Sequence, residues 1–159
     1  MGVHMKFVKR FLHVTWEDIE RAERARDKVM EFELYDILES ASIYGRELER
    51  VLEENIRYVL EREGLYDPKK IGSIVIPAGA LHWECEEGTC FYTANFEVFD
   101  PSGNRILASG TATGTMHVYD DKAEILDMTV AIPTHYVKKL KEIVSGTKRL
   151  LATVLDFVR

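Results

Sequence analysis

Several signatures that would point directly to a function are missing from this sequence. No apolar run approaches the roughly 18 residues of a membrane-spanning helix. No Gly-rich phosphate loop follows a strand, and no Gly-x-Ser-x-Gly elbow occurs. The five histidines show neither a His-x-His nor a His-Glu-x-x-His spacing. We therefore expect no metal, no cofactor and no serine-hydrolase chemistry.

Proline and cysteine are also scarce, with four prolines and two cysteines in 159 residues. Because no Gly/Ser linker divides the chain, residues 1–159 are predicted to form one domain. Cys85 and Cys90 lack the second pair that a four-cysteine zinc site needs. Two free thiols are the default in a cytosolic protein. A cross-strand disulfide is the alternative in a hyperthermophile, a source that the high Glu, Arg and Lys content also suits.

Positive charge is in deficit, since 21 Lys and Arg stand against 27 Asp and Glu and the net charge is −6. Nucleic-acid binding draws its affinity from neutralising phosphates, so this balance argues against a DNA or RNA partner. The composition, 46% hydrophobic and 30% charged, is typical of globular proteins. Residues 1–5 show no apolar core of the signal-peptide kind, and we predict a cytoplasmic protein.

The chain does contain a long helical pattern. Residues 6–14 are predicted to form a first strand and residues 15–64 to be helical, with an apolar stripe at helical spacing. The stripe comprises Leu34, Ile37, Leu38, Ala41, Leu48, Val51, Leu52, Ile56 and Val59. After the Ile132-Pro133 break, residues 134–159 are predicted to form one or two C-terminal helices.

Between these helical parts, residues 71–132 are predicted to form four antiparallel strands with one apolar and one polar face. The predicted strands cover 71–85, 89–99, 105–119 and 123–132. Their turns predict the opposite pairs Cys85 with Cys90, Phe96 with Ala108, and Met116 with Leu126. Small residues form a trough on the apolar face, which we expect to receive Ala41 and Gly45 of the helix. The trough consists of Ala108, Gly110, Ala112 and Gly114.

The order of strand, helix and four-strand meander resembles the hotdog fold. The stretch FEVFDPSGNRILASGTATGTMHV at 96–118 is similar to the pattern of hotdog acyl-CoA thioesterases of the 4-hydroxybenzoyl-CoA thioesterase type. It carries D-x-x-G and L-A-x-G-x-A-T, with an I-P ending later. LYDILESA at 34–41 resembles that family's central helix. The resemblance implies an α+β, hotdog-like fold, with an antiparallel sheet wrapped around a long central helix, an extra N-terminal helix and C-terminal helices.

The resemblance also implies carboxylate-assisted hydrolysis of an acyl thioester, with acyl-CoA as the ligand. The family's helix glutamate falls on Glu39, and Asp36 and Asp27 are further candidates for the catalytic carboxylate. The alternative for each is a solvated charge on a helix face. Many family members carry a Gly-His loop before the helix, but residues 16–30 contain no glycine. This departure favours binding without turnover.

On the polar face of the predicted sheet, Asn95, Thr111 and His117 are candidate substrate-binding residues. The alternative is that its threonines are ordinary strand formers on a wetted face. We predict an acyl-CoA thioesterase. The alternatives are a non-catalytic hotdog protein that binds acyl-CoA or a fatty-acyl or small apolar ligand, and a nuclear-transport-factor-like α+β pocket protein. Pairing of edge strands in the hotdog family implies a homodimer or larger homo-oligomer.

Overall fold

The computed structural model describes residues 29–35, 37 and 40–146. These residues form an α+β fold in which two helices accompany one antiparallel sheet. In chain order the elements are β1 (Val29–Leu34), β2 (Ser40–Ala41), α1 (Glu47–Arg62), β3 (Ile74–Val75), β4 (Leu81–Glu86), β5 (Thr89–Phe99), β6 (Ile106–Val118), β7 (Ala123–Ile125), β8 (Met128–Pro133) and α2 (Thr134–Ser145).

The sheet runs in the order β1-β8-β6-β5-β3, with β4 paired to β5 and β7 paired to both β2 and β6. Helix α1 packs against β1 and β3, the two ends of that path, so the sheet curves around the helix. Helix α2 packs mainly on β6 and β8. An antiparallel sheet that curves around a helix is compatible with a hotdog-like fold.

The helix is much shorter than the sequence pattern predicts. Helix α1 begins at Glu47 and has 16 residues. The prediction of a long central helix is therefore wrong. Residues 29–34, predicted to be helical, form β1, in which Phe32 and Leu34 join the core while Glu31 and Glu33 point away from it. This period of two was hidden because Leu34 also fits a helical stripe. The predicted first strand at 6–14 and the extra N-terminal helix, up to residue 28, lie outside the described residues.

The apolar stripe is confirmed within α1 itself. Its buried residues are Leu48, Val51, Leu52, Ile56, Val59 and Leu60. They pack with the inner face of the sheet and with Val137 and Leu140 of α2 into one core. The first C-terminal helix is therefore present at Thr134–Ser145, whereas the second, predicted at 148–158, lies outside the described residues.

The trough does not receive the helix. Gly45 has a φ of +74° and lies in the turn before α1, so it presents no helix face to the sheet. Aromatic rings from β5 cover the trough glycines instead. A Cβ atom on Gly110 would lie 2.7 Å from Phe96 Cζ, and one on Gly114 would lie 2.6 Å from Tyr92 Oη. The small residues therefore make room for aromatic rings of the neighbouring strand β5, and not for the helix as predicted.

The first hairpin has the predicted register, because Cys85 lies opposite Cys90. Its turn residues Glu87 and Gly88 both have positive φ, at 52° and 85°, the backbone of a tight type I′ hairpin. The two cysteines form a disulfide. The default prediction of two free thiols is therefore wrong.

The second hairpin is shifted by two residues from its predicted register, and Phe96 lies opposite Gly110. Its loop is one residue longer than predicted, because the Asp100 amide donates to the carbonyl of Arg105 at 2.9 Å. An irregularity between Val98 and Phe99 accounts for the other residue.

The first and the last of the four predicted strands are each divided in two. Pro77 accepts a hydrogen bond from the Ala80 amide at 3.0 Å in a turn between β3 and β4. Residues 126–127 separate β7 from β8, so that Met116 pairs with Ile125 in place of Leu126. The inward-facing positions change from even to odd numbers between Ile74 and Leu81. They change from odd to even between Ile125 and Met128, so a single alternation does not run through either break.

Candidate functional site

The two faces of the sheet differ sharply in composition. The inner face of β5 carries Tyr92, Ala94 and Phe96, all buried in the core. The outer face, defined here as the opposite side of the same strands, carries hydroxyl, amide and carboxylate side chains. Since successive side chains alternate across a strand, the register fixes which residues share this outer face.

A buried group of polar side chains lies on the outer face, where β5 pairs with β6. We call it the polar cluster, and it consists of Thr93, Asn95 and Thr111. Thr93 is 0% exposed, and Asn95 and Thr111 are each 9% exposed. Asn95 lies directly opposite Thr111, and the Thr111 hydroxyl donates to Asn95 Oδ1 at 2.9 Å. Strand pairing therefore builds the cluster from two neighbouring strands.

Two hydrogen-bonding atoms of the polar cluster are buried without a partner. Within the part of the chain that the structure describes, neither Thr93 Oγ1 nor Asn95 Nδ2 makes a hydrogen bond. Each such atom costs about 1–3 kcal/mol of stability when it is buried. Asn95 Nδ2 has no acceptor among the described residues, so both of its protons are free to donate. The cluster therefore offers N–H and O–H donors to an acceptor oxygen.

The outer face around the cluster is uniformly acidic. The described strands contain six glutamates and neither lysine nor arginine. The register places all six on the outer face, at Glu31, Glu33, Glu84, Glu86, Glu97 and Glu124. Glu97 follows Asn95 by two residues on the same side of β5 and is partly buried. The face that carries the uncharged donors of Asn95 and Thr93 is therefore rich in negatively charged glutamates.

The structure brings together two of the three substrate-binding candidates. Asn95 and Thr111 are in contact, whereas His117 lies opposite Thr89 and Glu124. It is six residues from Thr111 along β6, which corresponds to about 20 Å at the usual rise of a strand. His117 therefore belongs to a different part of the outer face.

The three candidate carboxylates, Asp27, Asp36 and Glu39, lie outside the described residues. Thr93 and Glu97 were not among the candidates, although the sequence pattern placed both on the polar face. Alternation shows which face a residue occupies but not whether that face is covered at its position. Polar residues at the alternate positions 93, 95 and 97, which share one face of a strand, were the sequence signal that could have identified the polar cluster.

A second polar network closes the junction between β6 and the residues that precede β8. The Tyr92 hydroxyl donates to the backbone carbonyl of Asp127 at 2.6 Å. The Asp127 carboxylate accepts from the amide and hydroxyl of Thr115, at 3.0 and 2.7 Å. Burial, with a smaller contribution from the Asp127 charge, raises the pKa of Tyr92 well above its ordinary value. This network is structural, because its hydrogen bonds all join one part of the sheet to another.

Comparisons of the chain with protein-family models, curated proteins and solved structures returned no match. Among residues 29–35, 37 and 40–146, no group of three or more His, Cys, Asp or Glu side chains is placed to hold a metal ion. Within the same part of the chain, no helix is both long and apolar enough to cross a membrane.

Proposed function

We propose that this chain is a hotdog-like binding protein for a small apolar ligand of the acyl type, and that the polar cluster holds the carbonyl oxygen of that ligand. The observation that supports this function is the pair of buried groups, Thr93 Oγ1 and Asn95 Nδ2, that have no hydrogen-bond partner among the described residues. A carbonyl oxygen has two lone pairs and can accept from both. Ligand sites typically combine apolar walls with a few placed polar groups of this kind.

The strength of such contacts sets the expected effect on affinity. A hydrogen bond between neutral groups contributes about 0.5–1.5 kcal/mol net. Two bonds from Asn95 and Thr93 therefore correspond to a roughly tenfold preference for a ligand with a carbonyl group over one without it. The donors are buried in this structure, so a carbonyl group reaches them only when the residues that cover them move aside.

Hydrolysis of an acyl thioester is the second candidate function. A donor pair that holds a thioester carbonyl can also stabilise the oxyanion that forms when the thioester is attacked, and asparagine side chains are known in that role. The resemblance to hotdog thioesterases assigns the catalytic carboxylate to Glu39. Turnover that is lost in Glu39→Gln would support this candidate over binding alone.

The test uses two neutral compounds that differ only in the carbonyl group. Decanoyl-N-acetylcysteamine is a thioester, and S-decyl-N-acetylcysteamine is the matching thioether. We expect calorimetric titration of the full chain to show about tenfold tighter binding of the thioester. Asn95→Ala should abolish most of this preference, whereas the control Asn104→Ala removes an amide from an exposed loop and should keep it. Free-thiol release, followed in parallel, reports hydrolysis.

Three results would contradict the proposal. If neither compound binds, the chain has no site for an acyl ligand of this kind. If the two bind equally, the carbonyl group makes no contribution to binding. A preference that survives Asn95→Ala would place the carbonyl away from the polar cluster. Circular dichroism of the variant, compared with the parent chain, separates a lost contact from a lost fold.

A further inference from the structure

The electrostatics of the outer face restrict the charge of a ligand at the polar cluster. Glu97 is the glutamate nearest to Asn95 along β5, and side chains two residues apart on one face are separated by about 6.6 Å. It is partly buried, and in the part of the chain that the structure describes no lysine or arginine forms an ion pair with it. Among the described residues, its negative charge is therefore not balanced by an ion pair with a lysine or arginine.

We propose that the polar cluster selects an uncharged carbonyl compound over the corresponding carboxylate, and that Glu97 determines this preference. The inference rests on the proposed function, because it concerns the same site. An amide, ester or thioester can accept hydrogen bonds from Asn95 and Thr93 without adding charge. A carboxylate in the same place would bring a second negative charge to within about 7 Å of Glu97, a repulsion that weakens binding more than tenfold at the effective dielectric of a partly buried site.

The rest of the outer face acts in the same direction. Five further glutamates share it, and the described strands supply no lysine or arginine to attract an anion. His82, which lies opposite Thr93, is the basic side chain nearest the cluster in these strands. The selection disfavours the phosphates of coenzyme A close to this face, and it disfavours the free acid that thioester hydrolysis would release.

The experiment compares decanamide with decanoate, which have the same chain length and differ in the head group, a neutral amide in one and a carboxylate in the other. Titrations are run on the full chain at low ionic strength and at pH 8. We expect the parent chain to bind decanamide more than tenfold more tightly than decanoate. Glu97→Gln keeps the size of the side chain and should reduce this ratio at least fivefold.

Glu124→Gln is the matched control. Glu124 is on the same face and is replaced in the same way, but it lies opposite His117, about 20 Å from the cluster by strand rise. Because the repulsion weakens with distance, this variant should change the ratio much less than Glu97→Gln does. The comparison therefore separates the local effect of Glu97 from the general effect of removing one negative charge.

The outcomes distinguish the inference from the function on which it rests. Equal binding of decanamide and decanoate, or tighter binding of decanoate, would overturn the selection while leaving a ligand site in place. An equal change in Glu97→Gln and Glu124→Gln would overturn the specific role of Glu97. If neither compound binds, the proposed function itself fails.

Discussion

Thr93→Val should stabilise the protein while weakening its proposed function. Thr93 is 0% exposed, and its hydroxyl has no hydrogen-bond partner in the described part of the chain. Valine keeps the branched shape and the strand preference of threonine and removes the hydroxyl. Since an unsatisfied buried polar group costs about 1–3 kcal/mol, we expect the free energy of unfolding to rise by about 1–2 kcal/mol. Buried polar groups that lower stability are expected where function needs them.

Urea denaturation followed by circular dichroism measures this change, and the melting temperature should rise by about 2–4 °C per kcal/mol. Thr113→Val is the control, because Thr113 lies opposite Thr93 but is only partly buried. Its effect should stay within about 0.5 kcal/mol. If Thr93→Val instead lowers stability by 1 kcal/mol or so, the hydroxyl has a partner in the folded protein and the reasoning about unpartnered donors is refuted.

Two other predictions test the surrounding fold. Tyr92→Phe removes the 2.6 Å hydrogen bond to the Asp127 carbonyl and should lower the free energy of unfolding by about 1–2 kcal/mol at neutral pH. Because folding raises the pKa of Tyr92, the parent chain should also lose stability as the pH rises above the ordinary value of 10.0, and denaturation at several pH values should show a smaller loss in the variant. Gly110→Ala should cost about 2–3 kcal/mol in thermal unfolding, since its Cβ would lie 2.6 Å from the Ala131 carbonyl oxygen and 2.7 Å from Phe96 Cζ. An unchanged melting temperature would contradict the register that places Phe96 over Gly110.

The strands of the meander were predictable because alternation is a strong local signal. The first hairpin followed from its turn, since Gly88 suits the positive φ that a tight turn requires, whereas Glu87 adopts a positive φ of 52° that non-glycine residues rarely take. The register predicted for the second hairpin is wrong by two residues, because a longer loop and an irregularity at Val98 each added one residue. Together they shift the pairing by two residues, which keeps the side chains of the ladder from Thr89 to Val98 on their predicted faces. Ile106, which lies between the loop and the irregularity, pairs instead with Phe99 and is 50% exposed.

The helix was overextended for a related reason. Leu34 and Ala41 fit a helical stripe by spacing, but strand pairing with β8 and β7 decided their conformation. Pairing of this kind is a tertiary effect, and the short period of two that it leaves at residues 31–34 is also compatible with the helical stripe. The same limit applies to the candidate site. The sequence placed Asn95 and Thr111 on one face, but their contact depended on the register, and the importance of Thr93 depended on its burial.

The most direct test of the central claim is the carbon-13 NMR signal of a bound carbonyl group. Decanoyl-N-acetylcysteamine labelled at the carbonyl carbon is added to the parent chain and to Asn95→Ala. We predict a downfield shift of the signal on binding to the parent chain, because hydrogen bonds from Asn95 and Thr93 polarise the carbonyl group. The shift should be much smaller in Asn95→Ala. A bound thioester with the same carbonyl shift in both proteins would contradict the claim that the polar cluster holds the carbonyl oxygen.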